Sequence, residues 1–231
     1  MPANIEDTLK LFNRKERFWV IQTALGPPSA KLSADFCEAL NRVLEGRAEP
    51  VSSASAWWAI DYHLDWLQAA LLLHPKVATP EPRPLVELSE GKYDIQGQQE
   101  DVDLVVAHGR DLILIEAKAF GSWSNPQLIS KAKRLKALPV CAESGLMLPR
   151  ADLQEEDRVR LHFLLMSPNP PQKLEEGASP PWPEWGKRDG QRLWLELQVE
   201  HASEPFVAVS RCLPDGKRSA GGRHWRLLED R

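Results

Sequence analysis

Apolar positions recur with helical spacing through the first third of the chain and give way to strand-like runs after residue 84. Residues about 4 to 25 read as a helix with Ile5, Leu9 and Phe12 on one stripe, ended by Gly26-Pro27-Pro28. A second helix is expected to open at Ser33 as N-cap, with Asp35 in its first turn. It buries Phe36, Leu40 and Leu44 and stops at Gly46. The spacing of Ile60, Leu64, Leu67 and Leu71 predicts a third helix over 55–73, with Asp61, Asp65 and Gln68 beside the stripe.

Pro75, Pro80, Pro82 and Pro84 then mark an extended connector, followed by a short strand at Leu85 to Leu88. Val102 to Ala107 and Leu112 to Ala119 are the strongest strand signals. Leu112 to Ile115 is apolar on both parities, as a central strand covered on both faces should be. Asn125-Pro126 reads as an N-cap and a first-turn proline, opening a helix that runs through Leu138. Val159 to Met166 is a further strand. Residues 167–190, with six prolines, Trp182 and Trp185, read as a surface wrap packed by its tryptophans. Alternation at Leu193 to Val199, Phe206 to Val209 and His224 to Leu228 predicts strands added at the sheet edge.

This order predicts one α/β domain over 1–231, with N-terminal helices (1–74), a core with a mixed central sheet (84–166), the proline-rich loop (167–190) and extra C-terminal strands (191–231). Composition agrees: 231 residues, 42% hydrophobic and 27% charged, exclude collagen-like and disordered chains. No apolar run approaches the roughly 20 residues of a membrane span, and the first residues lack a signal-peptide pattern, so a cytoplasmic location is expected. Cys37, Cys141 and Cys212 are widely spaced, supporting neither a disulfide framework nor a zinc ribbon. The net charge of −4 argues against a globally basic nucleic-acid binder but permits a local basic face.

The chemistry sits at the two strong strands. Gly109-Arg110 suits a two-residue hairpin turn that pairs His108 with Asp111, so that paired residue numbers sum to 219. That register sets Asp103 opposite Glu116, a like-charge pair that needs something positive beside it. Lys118 points to the same face as Glu116. Two carboxylates with vacant positions suit Mg²⁺, and a lysine beside them could orient the attacking water. A register shifted by one residue would send Asp103 to the opposite face and dissolve the cluster.

Asp103 and Glu116-Ala117-Lys118 resemble the D…(D/E)xK signature of the PD-(D/E)xK, or restriction-endonuclease-like, nuclease superfamily, although Val102 stands where the family name has proline. The resemblance implies a restriction-endonuclease-like α/β/α core. It implies that Asp103 and Glu116 bind Mg²⁺ or Mn²⁺, that the Ala117 carbonyl adds a ligand, that Lys118 serves the nucleophilic water, and that Asp61 or Asp65 supplies a helix acid. Independently, Asp61 and Asp65 are like charges at i,i+4, which a cationic partner or a metal would explain. Gln127, Lys131 and Arg134 form a polar stripe on the following helix that could hold a phosphate backbone. In the RecB-like branch a glutamine begins a Q-x-x-x-Y motif here; Gln127 matches it and Lys131 replaces the tyrosine. Stretches around Asn13 to Phe18, Asp61 to Trp66, Gln99 to Asp103 and Glu116 to Leu135 also resemble a family of uncharacterised bacterial proteins, which supplies no activity.

Other signals are set aside. The six histidines lack metal-binding spacing, and no Walker A, G-x-G-x-x-G, HExxH or G-x-S-x-G string occurs. His63 is expected to be packed and hydrogen-bonded, or a donor behind the site. Trp57, Trp58 and Trp66 read as core and rim residues before base-stacking platforms. The functional expectation is a Mg²⁺-dependent nuclease acting on nucleic acid, DNA first. A second copy of the chain would serve duplex cutting. The competing expectation is a non-catalytic nuclease-fold module in a nucleic-acid-processing complex.

Overall fold

The computed structural model describes residues 4–11, 16–25, 31–74, 100–119, 123, 126–149, 153–171, 182–199 and 207–229. They form two compact units, Met1–Leu197 and Gln198–Arg231. The first unit carries helices α1 (Ile5–Leu11), α2 (Glu16–Leu25) and α3 (Ala34–Val43), strand β1 (Trp57–His63) and helix α4 (Leu64–Leu73). Then come β2 (Asp101–His108), β3 (Asp111–Ala117), α5 (Pro126–Lys136), β4 (Arg160–Ser167) and the short strands β5 (Lys187–Arg188), β6 (Gln191–Arg192) and β7 (Trp194–Glu196). The second unit holds β8 (Val207–Cys212) and β9 (His224–Glu229).

The central sheet is five-stranded and mixed, in the order β1-β2-β3-β4-β7. β1, β2 and β3 form an antiparallel meander. After α5 the chain returns as β4, parallel to β3, and β7 adds a parallel edge. Both faces of β3 are covered, which is why its sequence is apolar on both parities. Val105, Ala107, Leu112 and Leu114 pack with Leu67 and Leu71 of α4 and Leu128, Ala132 and Leu135 of α5. Val106, Ile113 and Ile115 pack with Cys37 and Leu40 of α3 and with Leu44.

The β2–β3 ladder pairs His108 with Asp111 and Leu104 with Ile115, the register expected from the turn. Gly109 has φ +58, while Arg110 is absent from the residues of positive φ, the signature of a type II′ turn with glycine first. A Cβ at Gly109 would lie 2.8 Å from Glu49 Oε2. Gly109→Ala is therefore expected to cost about 1–2 kcal/mol for the left-handed backbone. Urea unfolding of the variant measures this.

Several expectations are corrected. The third helix begins only at Leu64; residues 57–63 form β1. Trp57, Ala59 and Tyr62 are buried there, and aromatic and β-branched side chains favour a pleated surface that β2 is available to pair. His63 caps α4, its Nδ1 accepting the Asp65 amide at 3.2 Å. Described residues 4–25 form two helices where one was expected, and Phe12 lies outside the described residues. Of the tail strands, β7 joins the central sheet, whereas β8 and β9 pair with each other as a separate two-stranded sheet. Ser33 does cap α3, accepting the Phe36 amide at 3.2 Å. Trp182 and Trp185 are buried, Trp182 stacking on Phe163 at 4.7 Å between centroids. The proline connector and the strand expected at Leu85 to Leu88 lie outside the described residues. Among the described residues no helix is long and apolar enough to cross a membrane.

Candidate functional site

The ladders set three carboxylates in one lateral row. On β1, Asp61 lies between the pairs Ile60–Leu104 and Tyr62–Val102, and so stands across from Asp103. Asp103 is one step beyond the Leu104–Ile115 pair, across from Glu116. Asp103 shares the parity of Val105 and Ala107, and Glu116 that of Leu112 and Leu114, so both belong to the face covered by α4 and α5. Three acids side by side repel, and each is handled differently.

Asp61 leaves strand geometry, with φ +48, at a cost of about 1 kcal/mol for a non-glycine residue. Its Oδ2 accepts Arg17 Nη1 at 3.1 Å. Asp103 is half-buried and turns onto the neighbouring strand, where its Oδ2 accepts the Ala117 amide at 2.7 Å. Glu116 is buried, and both its oxygens accept Lys131 Nζ of α5, at 2.8 and 2.6 Å. Burial raises the Glu116 carboxyl to about 7; Lys131 opposes the rise and the Asp103 charge adds to it. Lys131→Met removes the opposing cation and is expected to push this carboxyl above about 7. Carbon-detected NMR titration of Glu116 checks it.

One turn further along α5, Arg134 is buried between two more acids. It pairs with Asp65 at the start of α4, and its Nη1 meets Glu100 Oε2 at 3.2 Å. The Arg134 side chain is 6% exposed, and burial lowers its pKa. Lys131 and Arg134, expected to present a stripe to a phosphate backbone, thus turn toward carboxylates in this structure. Gln127 lies in the first turn of α5, and its side chain is outside the described residues.

Lys118 follows the end of β3, and its amide extends the parallel ladder to the Met166 carbonyl at 2.8 Å. Its ammonium lies 6.0 Å from the Trp123 ring centroid. The ammonium against Glu116 is that of Lys131. The two expected helix acids separate: Asp61 sits on a strand in the row with Asp103, and Asp65 sits on the helix against Arg134.

Among the described residues no group of three or more His, Cys, Asp or Glu side chains is arranged to hold a metal ion. Asp103 and Glu116 offer a smaller set of two hard oxygen donors, and Mg²⁺ usually takes one or two carboxylates plus waters and phosphate oxygens. The donor chemistry fits, provided the ion replaces Lys131 as the charge facing Glu116. The Lys131 and Arg134 ion pairs were not anticipated from the sequence, although cations at i and i+3 beside buried Leu128, Ala132 and Leu135 carry the signal.

Fold and site together define a mixed α/β protein with a carboxylate and lysine cluster at the C-terminal end of its central strand. No protein family, curated protein or solved structure matches the chain.

Proposed function

We propose that this protein is a metal-dependent phosphodiesterase acting on nucleic acid, with DNA as the first substrate to test. The supporting observation is the placement of Asp103 and Glu116 on neighbouring antiparallel strands, facing the same side, with the Glu116 carboxyl raised to about 7. The antiparallel meander followed by a helical crossover to a parallel strand is consistent with a generic nuclease-like architecture. Asp103 and Glu116 would hold Mg²⁺ or Mn²⁺, with the Ala117 carbonyl as a further ligand. A bound ion supplies charge to polarise the phosphate and to make water a better nucleophile.

The chain's own groups do the rest. The Lys118 ammonium orients the attacking water at the strand end. Lys131, which faces Glu116, would place a second positive charge where the phosphate gains negative charge. Water oxygen forms the new bond to phosphorus, the ester bond breaks, and the leaving oxygen takes up a proton.

A second reading draws support from the ion pairs. Lys131 meets Glu116, and Arg134 meets both Asp65 and Glu100, so the chain's own cations face these acids, an arrangement that suits a non-catalytic nuclease-fold module.

Calorimetric titration of Mg²⁺ and Mn²⁺, run beside incubation with plasmid, single-stranded DNA and RNA, decides between them. The nuclease reading expects metal binding and cleavage, both lost in Asp103→Asn. Folded wild-type protein that neither binds metal nor cleaves would favour the module.

A further inference from the structure

At the opposite end of β3 lies a second cluster of ionisable groups. Asp111 opens this strand and Glu116 is five residues on, about 17 Å away at strand rise. Asp111 is fully buried: Oδ2 accepts the Glu49 amide at 2.8 Å, and Oδ1 lies 2.8 Å from His162 Nε2 on β4. With a carboxylate accepting at Nε2, that nitrogen carries the proton. His162 is 1% exposed, and its other ring nitrogen, Nδ1, is buried without a hydrogen-bond partner.

His162 is among the residues lining a pocket of about 660 Å³, within the range of small-molecule sites. Four cations line it as well: Arg47, Arg160, Lys187 and Arg188. All four are half-buried. Three are aimed by neutral backbone carbonyls: Arg47 by those of Lys187 and Trp185, Arg160 by that of Arg47, and Arg188 by that of Glu45. A carbonyl orients a guanidinium without cancelling its charge. Arg160 is 4.0 Å from Asp111, whose carboxylate is already shared with His162 and the Glu49 amide. The lining acids, Glu45, Glu143 and Asp189, are exposed at the rim, and Lys187 bonds Glu184 outside the lining.

We propose that this pocket binds a small molecule carrying a phosphomonoester, with Arg47, Arg160 and Arg188 facing the phosphate, the buried His162 behind them, and the exposed Glu45, Glu143 and Asp189 facing the hydroxyl or amino groups of the remainder. Planar guanidinium forks match phosphate oxygens, and a dianion offsets two charges where a carboxylate offsets one. The cations of the pocket act on one another and on His162. The Arg47 pKa is lowered by burial and then by Arg188 and Arg160, with Asp189 opposing. His162 is lowered mainly by burial and also by Arg47 and Arg160, while Asp111 opposes. An arriving phosphate dianion offsets part of that field, and His162 then takes up a proton more readily. Lys187, Arg188, Glu45 and Glu143 bear on the same pocket without touching Asp111.

Calorimetry with inorganic phosphate, ribose 5-phosphate, adenosine 5′-monophosphate and succinate tests this on the full chain. Saturable binding of the two phosphomonoesters is expected, weaker for inorganic phosphate, with proton uptake read from the dependence of the enthalpy on buffer. Arg160→Met and Arg188→Met are each expected to weaken it about tenfold. Arg188 lies near the rim, so its variant keeps the test usable should Arg160→Met fail to fold. Asp103→Asn is expected to bind the phosphomonoesters like the wild type, which separates this pocket from the carboxylate row. Absence of saturation, tighter binding of succinate, indifference to both arginine substitutions, or loss of binding in Asp103→Asn would each overturn the proposal.

Discussion

Replacing Arg134 with methionine is expected to destabilise the protein by about 3–5 kcal/mol, the usual cost of stranding a buried partner charge. Arg134 of α5 has 6% of its side chain exposed and holds Asp65 of α4 and Glu100, the residue before β2. Methionine fills much of the volume, so the loss is electrostatic more than steric. Asp65, 9% exposed, and Glu100, 14% exposed, both lose the guanidinium that they share. The double variant Asp65→Leu with Arg134→Met should recover part of the loss, because an apolar pair has no desolvation penalty while Glu100 remains without its cation. Urea unfolding of the single and double variants measures the coupling. A single variant within about 1 kcal/mol of wild type would show that the pair contributes little net stability.

Glu116→Gln carries the largest expected effect on chemistry. It keeps the shape of the side chain and one acceptor for Lys131 but removes the charge that a cation needs. On the proposed nuclease reading, metal affinity should fall beyond detection and hydrolysis by at least about a hundredfold.

The same carboxyl makes a pH prediction whose sign follows from the direction of its shift. Raised from 4.5 to about 7, it is protonated in the folded state over a range where the unfolded chain has already lost the proton. The folded state binds more protons there, so stability falls as pH rises from about 4.5 to about 7, by up to about 3 kcal/mol from this group. Below about 4.5 both states are protonated and its favourable contribution is fully present; above about 7 it is gone. Unfolding free energies across this range should lose that slope in Glu116→Gln. On the proposed nuclease reading, metal affinity should run the other way, rising through about pH 7 as Glu116 ionises.

The parts of the molecule legible in the sequence are those governed by short-range rules. Gly109-Arg110 predicts a hairpin because few residues accept the backbone such a turn needs, and from the turn the facing of Asp103 and Glu116 follows by counting. Ser33 caps α3 because its hydroxyl meets an amide three residues away. The stretch 55–63 misled for a matching reason: Ile60, Leu64, Leu67 and Leu71 have helical spacing, yet Ile60 belongs to a strand and the other three to the helix behind it. A periodicity that spans an element boundary carries no mark of the boundary, and pairing with β2, some forty residues away, decides it.

By itself the sequence determined the mixed α/β class, the hairpin register and the meeting of two carboxylates on one face. Each is set by backbone geometry within a few residues. Only the tertiary structure decided which cations answer those acids. Lys131 reaches Glu116 and Arg134 reaches Asp65 because the crossover lays α5 across the ends of β3 and α4. The pairing of Asp111 with His162, fifty-one residues apart, likewise exists only once β3 and β4 lie side by side. Charge pairing depends on distance in space, and the chain records only distance along itself.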